Sequence, residues 1–448
     1  MKATKSAMGG SCEERIRYAR ETGSVALDLS GLQLPALPEA LADLTGLVSL
    51  DLSGNNLTLL PEWIGDFDHL TDLCLTDNGL ARLPDTLGRL RKLARLAVSD
   101  NCLTCLPETI GELSELAYLQ IADNDFFELP DTITRLSSLT QLWAAGNCLV
   151  RLPERLGDLG RLTLLSVERN ELVELPQSIG GLHALSHLNA SDNQLTELPS
   201  SLVDLGGLTE VVLSRNALTR LPERLGELAC LSWLGLDGNE LVRLPESIGD
   251  LRSLVQLWLT GNDLTELPET IGNLTHLTGL NVAENYLTVL PESLGNLSNL
   301  IQLWLGGNVL IELPESIGNL TQLGYFDAFG NRLTFLPESI GNLTLLTSLD
   351  LSGNQLTYLP ESIGSLNQLT GFYAADNQLA ELPATMGDLT QLVHCDLSDN
   401  VLTGLPDSLA GLMCLTGLRL SGNDLLAVPE WAGAVAILER RVQWRPRW

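Results

Sequence analysis

Lysine, histidine and aromatic residues are scarce in this 448-residue sequence, and long apolar runs are missing. Lys2, Lys5 and Lys92 are the only lysines, and 26 basic residues face 56 acidic ones, a net charge of −30. So acidic a surface repels nucleic acid and anionic lipid and favours basic or neutral partners. Without a run of about 18 apolar residues there is no candidate membrane span. Met1–Cys12 lacks the apolar centre of an export signal. No Gly-Lys pair occurs, hence no phosphate-cradling G-x-x-x-x-G-K-[ST] loop, and the five histidines form no H-E-x-x-H motif. No spacing supplies a nucleophile with its base, so neither catalysis nor a cofactor is expected.

The eight cysteines (Cys12, Cys74, Cys102, Cys105, Cys148, Cys230, Cys395, Cys414) are scattered. That distribution suits reduced thiols and predicts a cytoplasmic protein. Cys102-x-x-Cys105 has a metal-ligand spacing but no second half, and is expected to be a coincidence of two variable positions.

What is abundant is periodic leucine. Hydrophobic residues make up 44% of the chain, and asparagine recurs every 23 residues from Asn55 to Asn423, seventeen times without a slip. Leu32 holds the same position in a degenerate first copy, giving 18 repeats. The consensus is L-x-x-L-x-L-x-x-N-x-L-x-x-L-P-x-x-I-G-x-L-x-x, clearest from Leu346 onward.

Numbered from the first leucine, positions 4 and 6 alternate with polar residues. They predict a short strand with its leucines inward and, on stacking, one parallel sheet. The asparagine at position 9 ends the strand, its amide able to donate to and accept from a neighbouring coil. Eighteen of the 20 prolines share one position, leaving only Pro35 and Pro446. Glu or Asp follows in fifteen repeats, the exceptions being Gln177, Ser200 and Ala384. Proline is therefore predicted at the first residue of a short helical turn, with the acid at its positive end. Glycine, as at Gly341, is expected to let the chain turn back. Phe326 with Ala328, and Phe372 with Ala374, replace paired leucines by a large and a small residue, as a volume-conserving core requires.

These features predict an α/β solenoid, a curved horseshoe with a parallel concave sheet and short helical or 3-10 convex segments, about 18 repeats long. Residues 1–24 are expected to hold a capping helix (Glu13–Thr22, stopped by Gly23), 25–430 the solenoid, and 431–448 a C-terminal cap and basic tryptophan-rich tail. A closing helix is predicted over Glu430–Leu438.

Stretches such as LPESIGNLTLLTSLDLSGNQLTYLPESIG (Leu336–Gly364) resemble the leucine-rich-repeat family. They are most similar to its intracellular 23-residue class, found in Ras-signalling scaffolds, plant intracellular Ras-group-related proteins and bacterial Roco proteins. ERIRYARETGSVALDLSG (Glu14–Gly31) is similar to the lead-in of the bacterial members. The resemblance implies a recognition module for intracellular signalling. Neither the Roco GTPase nor the catalytic cysteine domain of bacterial ubiquitin-ligase effectors has a counterpart in these residues.

Positions 3, 5, 7 and 8 are expected on the concave face, with position 10 at its rim. Tyr118, Trp233 and Tyr325 occupy position 3; Trp143, Trp258, Trp304 and Tyr373 position 5; Phe329 position 7; Tyr286 the rim. Exposed aromatics are the residues that dominate binding energy; alternatively they pack on one another and stiffen the sheet. Trp258 and Trp304, with Asn281 and Gly279 between them, either flank a slot that grips a planar or aliphatic group or collapse over Asn281 and close it. Charge on this face is mixed, with Asp327, Asp350 and Asp396 among the acids. Arg169 and Arg215, beside Glu168 and Glu210, are candidates to set a partner's register. The chain reads as a non-enzymatic protein-binding module or scaffold for a protein or peptide on the concave face. A carbohydrate or small-ligand binder, or a bacterial effector delivered into a host, is the alternative. Arg441–Trp444 matches a short pattern by which peptides dock on protein phosphatase 1, expected here by chance.

Overall fold

The described chain opens on an α-helix, α1 (Cys12–Thr22), whose ends are written in its sequence. Ser11 caps it: its Oγ accepts the Glu14 N–H, while the Glu14 carboxylate accepts the Ser11 N–H at 2.9 Å. Gly23, at φ 66°, stops it in the left-handed conformation. The computed structural model describes residues 10–427, 429–432 and 436–437. The tail from Arg440, with Arg441–Trp444, lies outside them.

The chain forms two compact units, up to Ala217 and from Leu218. The first carries β1 (Ala26–Asp28), β2 (Ser49–Asp51), β3 (Asp72–Cys74), β4 (Arg95–Ala97), β5 (Tyr118–Gln120), β6 (Gln141–Trp143), β7 (Leu164–Ser166), β8 (His187–Asn189) and β9 (Glu210–Val212). The second carries β10 (Trp233–Gly235), β11 (Gln256–Trp258), β12 (Gly279–Asn281), β13 (Gln302–Trp304), β14 (Tyr325–Asp327), β15 (Ser348–Asp350), β16 (Gly371–Tyr373), β17 (His394–Asp396), β18 (Gly417–Arg419) and β19 (Ala436–Ile437). Within each unit successive strands pair in parallel at a 23-residue offset, for example Leu27 with Leu50 and Leu303 with Phe326. Each unit is thus a solenoid of the predicted α/β kind. At the far end the sequence predicts a helix over Glu430–Leu438, but Ala436–Ile437 pair as a strand with β18, whose edge would otherwise stay open.

Position 4 is buried in β1 to β18, and Phe326, Ala328, Phe372 and Ala374 have no exposed surface. The asparagines do what their position predicts. Asn331 is 6% exposed; its Nδ2 donates to the carbonyls of Leu305 (3.0 Å) and Ala328 (3.2 Å), and its Oδ1 accepts the Leu310 N–H at 3.1 Å. The same three-way bond recurs along the column, as at Asn124 and Asn377. Within each unit it joins each coil to the one before it.

Two local readings need correction. Proline stands one residue before the short helix, not in it: Pro337 is extended (φ −67°, ψ 148°), and the 3-10 helix runs Glu338–Asn342. Its carbonyl accepts the Ile340 N–H at 3.1 Å and so starts the i→i+3 series. Gly341 does not turn the chain; it lets neighbouring helices touch. A Cβ there would stand 2.6 Å from the Ser362 carbonyl oxygen. The residue that does need left-handed backbone is position 8, where Gly353 has φ 68° and Asp376 φ 53°.

Candidate functional site

Because position 4 points inward, positions 3 and 5 of each strand face out. In the first unit this face carries Tyr118 and Trp143. The Arg95 guanidinium lies 4.1 Å above the Tyr118 ring, and the Tyr118 hydroxyl donates to Gln120 Oε1 at 2.9 Å. Trp143 Nε1 donates to Gln141 Oε1 at 3.2 Å. Trp143 is thus held by its own strand, and Tyr118 by its own strand and the one before it.

Arg169 and Arg215 each bind an acid of an earlier coil. Arg169 binds Asp123 at 3.0 Å, two coils back, and Arg215 binds Asp192 one coil back. The cause is the backbone: both arginines occupy position 8 at φ 54° and 55°, which aims them along the column of position-8 residues. The Asp192 carboxyl is held below its ordinary range, first by its hydrogen bond from Arg215. Both arginines stay exposed.

In the second unit the aromatics form one continuous row. The rings of Trp233 and Trp258 stack with centroids 5.8 Å apart and planes 20° apart. Trp258 and Trp304 are 5.3 Å apart, and Trp304 and Tyr325 5.5 Å apart. Gly235 opposes Trp258 on the neighbouring strand and leaves room for the first of these contacts. The indoles of Trp258 and Trp304 have collapsed toward each other above Asn281, so the slot between them is closed. Gly279 is covered by Gln256, whose Oε1 would clash with any Cβ there. Trp233 is 38% exposed and Phe329 52%, while Trp258, Trp304, Tyr325 and Tyr373 are half-buried. Trp258 Nε1 is buried without an acceptor, which costs stability.

Beyond Trp304 the row becomes acidic. The Asp327 carboxyl is pushed up to about 6 by burial, offset by the Phe329 N–H that it accepts and raised further by Asp350. β13 flanks it with Gln302 and Trp304, and β15 with Ser348 and Asp350. An unfolded aspartate titrates near 3.9. The folded state therefore holds a proton that the unfolded chain gives up between those values, and stability rises as pH falls from about 6 toward 4. We expect Asp327→Asn to raise stability by about 1–2 kcal/mol at pH 7.5 and to change it little at pH 4. Urea unfolding at the two pH values checks this; equal effects at both would contradict it.

Other features lie elsewhere. Two clefts of the second unit are lined by Glu246, Glu266 and Pro268, among the Leu-Pro-Glu segments and away from the rings. Among the described residues no group of three His, Cys, Asp or Glu side chains could hold a metal, and no helix is long and apolar enough to cross a membrane. All eight cysteines are free thiols.

The comparisons agree with this architecture. A leucine-rich repeat region profile matches residues 225–308 and 312–420, and a Leucine Rich Repeat profile matches 46–67. An LRR protein of Leptospira interrogans is 31% identical, with a TM-score of 0.74 over 87% of this chain and 93% of its own. The LRR ectodomain of the plant membrane receptor kinase GASSHO1/SCHENGEN3 from Arabidopsis thaliana is 33% identical, with a TM-score of 0.57 over 91% of this chain and 57% of its own. YopM from Yersinia enterocolitica is 26% identical, with a TM-score of 0.64 over 94% and 80%. No curated protein matches the sequence. The chain belongs to the leucine-rich-repeat family, whose solenoid is typical of protein-binding scaffolds.

Proposed function

We propose that this chain is a non-enzymatic protein-binding module that captures a protein or peptide partner on the outward face of its strands, chiefly those of the second unit. The observation that carries this reading is the unbroken row Trp233–Trp258–Trp304–Tyr325, large rings on a face where no core requires them. Among the structural relatives, the Arabidopsis receptor ectodomain is seen in complex with CASPARIAN STRIP INTEGRITY FACTOR 2. The closed gap above Asn281 argues against the rival reading, in which two parallel indoles clasp a sugar ring.

Membership of the intracellular 23-residue class, a cytoplasmic location and a scaffold role in signalling belong to the same proposal. They are supported by the strict 23-residue period and by eight cysteines dispersed as thiols.

Affinity capture with the wild type and with Trp258→Ala/Trp304→Ala, read by mass spectrometry, tests the proposal. The expected result is a partner retained by the wild type and lost by the variant, roughly a 100-fold fall in affinity, which is about 2.7 kcal/mol. Capture unaffected by loss of both indoles would overturn it. Circular dichroism establishes that the variant is folded.

A further inference from the structure

Asp327 and Asp350 stand side by side on β14 and β15, in register, with Trp304 flanking the pair on one side and Tyr373 on the other. Each spends one carboxylate oxygen on the backbone two residues ahead, the Phe329 N–H at 2.8 Å and the Ser352 N–H at 2.9 Å. Neither has an ion-pair partner among the described residues, whereas other acids of these faces do. Asp396 pairs with Arg419 at 3.2 Å, and Asp123 with Arg169. Where the aromatic row ends, two acids are left without a cation.

That arrangement is costly for the chain alone. Burial pushes both carboxyls up, and each feels a neighbouring aspartate. Two partly desolvated like charges destabilise a fold unless a cation joins them. The surroundings suit one kind of cation. The Tyr325 ring lies against Trp304, with its phenol within the field of both carboxylates. Phe329 stands exposed beside the pair, its ring 3.4 Å from where a Gly353 Cβ would be. Gly307, Gly330 and Gly353 hold position 8 in three successive coils, between coils that carry Glu284 and Asp376 there, so no position-8 side chain rises between a passing backbone and the acids. Paired carboxylates beside aromatic faces match a guanidinium, which is planar, binds carboxylate through two N–H groups and stacks on rings. An ammonium is compact, more strongly hydrated and lacks the flat face.

We propose that the occupant of this face is an extended arginine-bearing peptide segment, its guanidinium seated on Asp327 and Asp350 between the rings of Trp304 and Tyr373. This rests on reading the aromatic face as the partner-binding surface, and it names the chemistry of the partner. The net charge of −30 draws basic segments toward the whole chain, and the paired acids give them an address.

The test is isothermal titration of the full-length chain at about 0.15 M salt with a blocked peptide of alternating glycine and arginine. Matched peptides carry citrulline, the neutral isostere, or lysine at the same places. The arginine peptide is expected to bind roughly tenfold or more tightly than either. Asp327→Asn/Asp350→Asn is expected to weaken the arginine peptide by a similar factor and to erase its preference over citrulline. Each asparagine keeps the acceptor for the backbone N–H, and Asp350→Asn alone repeats the test if the pair fails to fold. Glu269→Gln/Glu315→Gln removes the same two charges from exposed return segments and should change binding less than about twofold. Equal binding of the three peptides, equal losses in both double variants, or no binding to the wild type would overturn the inference. If partner capture still depends on Trp258 and Trp304 in that event, only the choice of an arginine peptide fails, and the binding face stands.

Discussion

Asn331→Ala lowers the stability of the second unit by about 3 kcal/mol or more in urea unfolding. The substitution strips acceptor contacts from the Leu310 N–H and donor contacts from the Leu305 and Ala328 carbonyls. At 6% exposure the site gives water little access to replace them. The Leu310 N–H, left without a partner, costs about 1–3 kcal/mol, and the Leu305 and Ala328 carbonyls, which keep a second donor in Asn308 and Asn354, each lose a bond worth about 0.5–1.5 kcal/mol. Asn331→Asp keeps the acceptor, loses both donors and buries a charge, and is expected to be at least as damaging. Asn423, in the last full coil, makes the same bonds from a half-buried position. Its replacement should cost only about 1 kcal/mol; equal losses at the two sites would show that burial is not the cause.

Gly341→Ala is the second large effect. A methyl group there meets the Ser362 carbonyl oxygen at 2.6 Å and Ser362 Cβ at 2.7 Å, so the backbone of the next coil must shift to admit it. We expect a loss of about 2 kcal/mol or more, with the helices of adjacent coils pushed apart. Gly160 is the control: no heavy atom lies within 4 Å of its notional Cβ, and its φ is not positive. Gly160→Ala should be neutral or stabilising by up to about 1 kcal/mol. Calorimetric melting of both variants separates close packing from turn geometry, because a turn requirement would penalise both.

How much of this was legible in the sequence depends on whether a feature repeats. A requirement met in every coil leaves a phase-locked column, so the buried asparagines, the inward leucines and the Phe326–Ala328 exchange could all be read from spacing. Reasons were harder to read than positions. Gly341 and Gly353 are the same residue type, but one serves close approach and the other left-handed backbone, and only coordinates tell them apart. The proline column was found and placed one residue too far along, because φ near −65° suits both the residue before a helix and its first turn.

The candidate site was legible as a face and not as an arrangement. The alternation of positions 3, 4 and 5 assigned Trp233, Trp258, Trp304, Tyr325 and Tyr373 to the outward side. Whether two indoles two coils apart stay parted or meet depends on rotamers that spacing leaves free, and here they meet. Arg169 and Arg215 were read as candidates to set a partner's register, and their bonds to Asp123 and Asp192 of earlier coils, reached from positive φ, were not legible in the spacing. Asp327 and Asp350 looked like mixed surface charge. Their burial comes from the rings and strands around them, which no single repeat contains.

Hydroxyl-radical footprinting of the chain with and without its captured partner tests the central claim most directly, since aromatic side chains are the readout and the site is built of them. The account predicts that oxidation of Trp233, Trp304, Tyr325 and Phe329 falls sharply in the complex, while Tyr358, exposed on the return segment, reacts as before. Protection of Tyr358 with the row left unchanged would place the partner on the other side of the coils and contradict it.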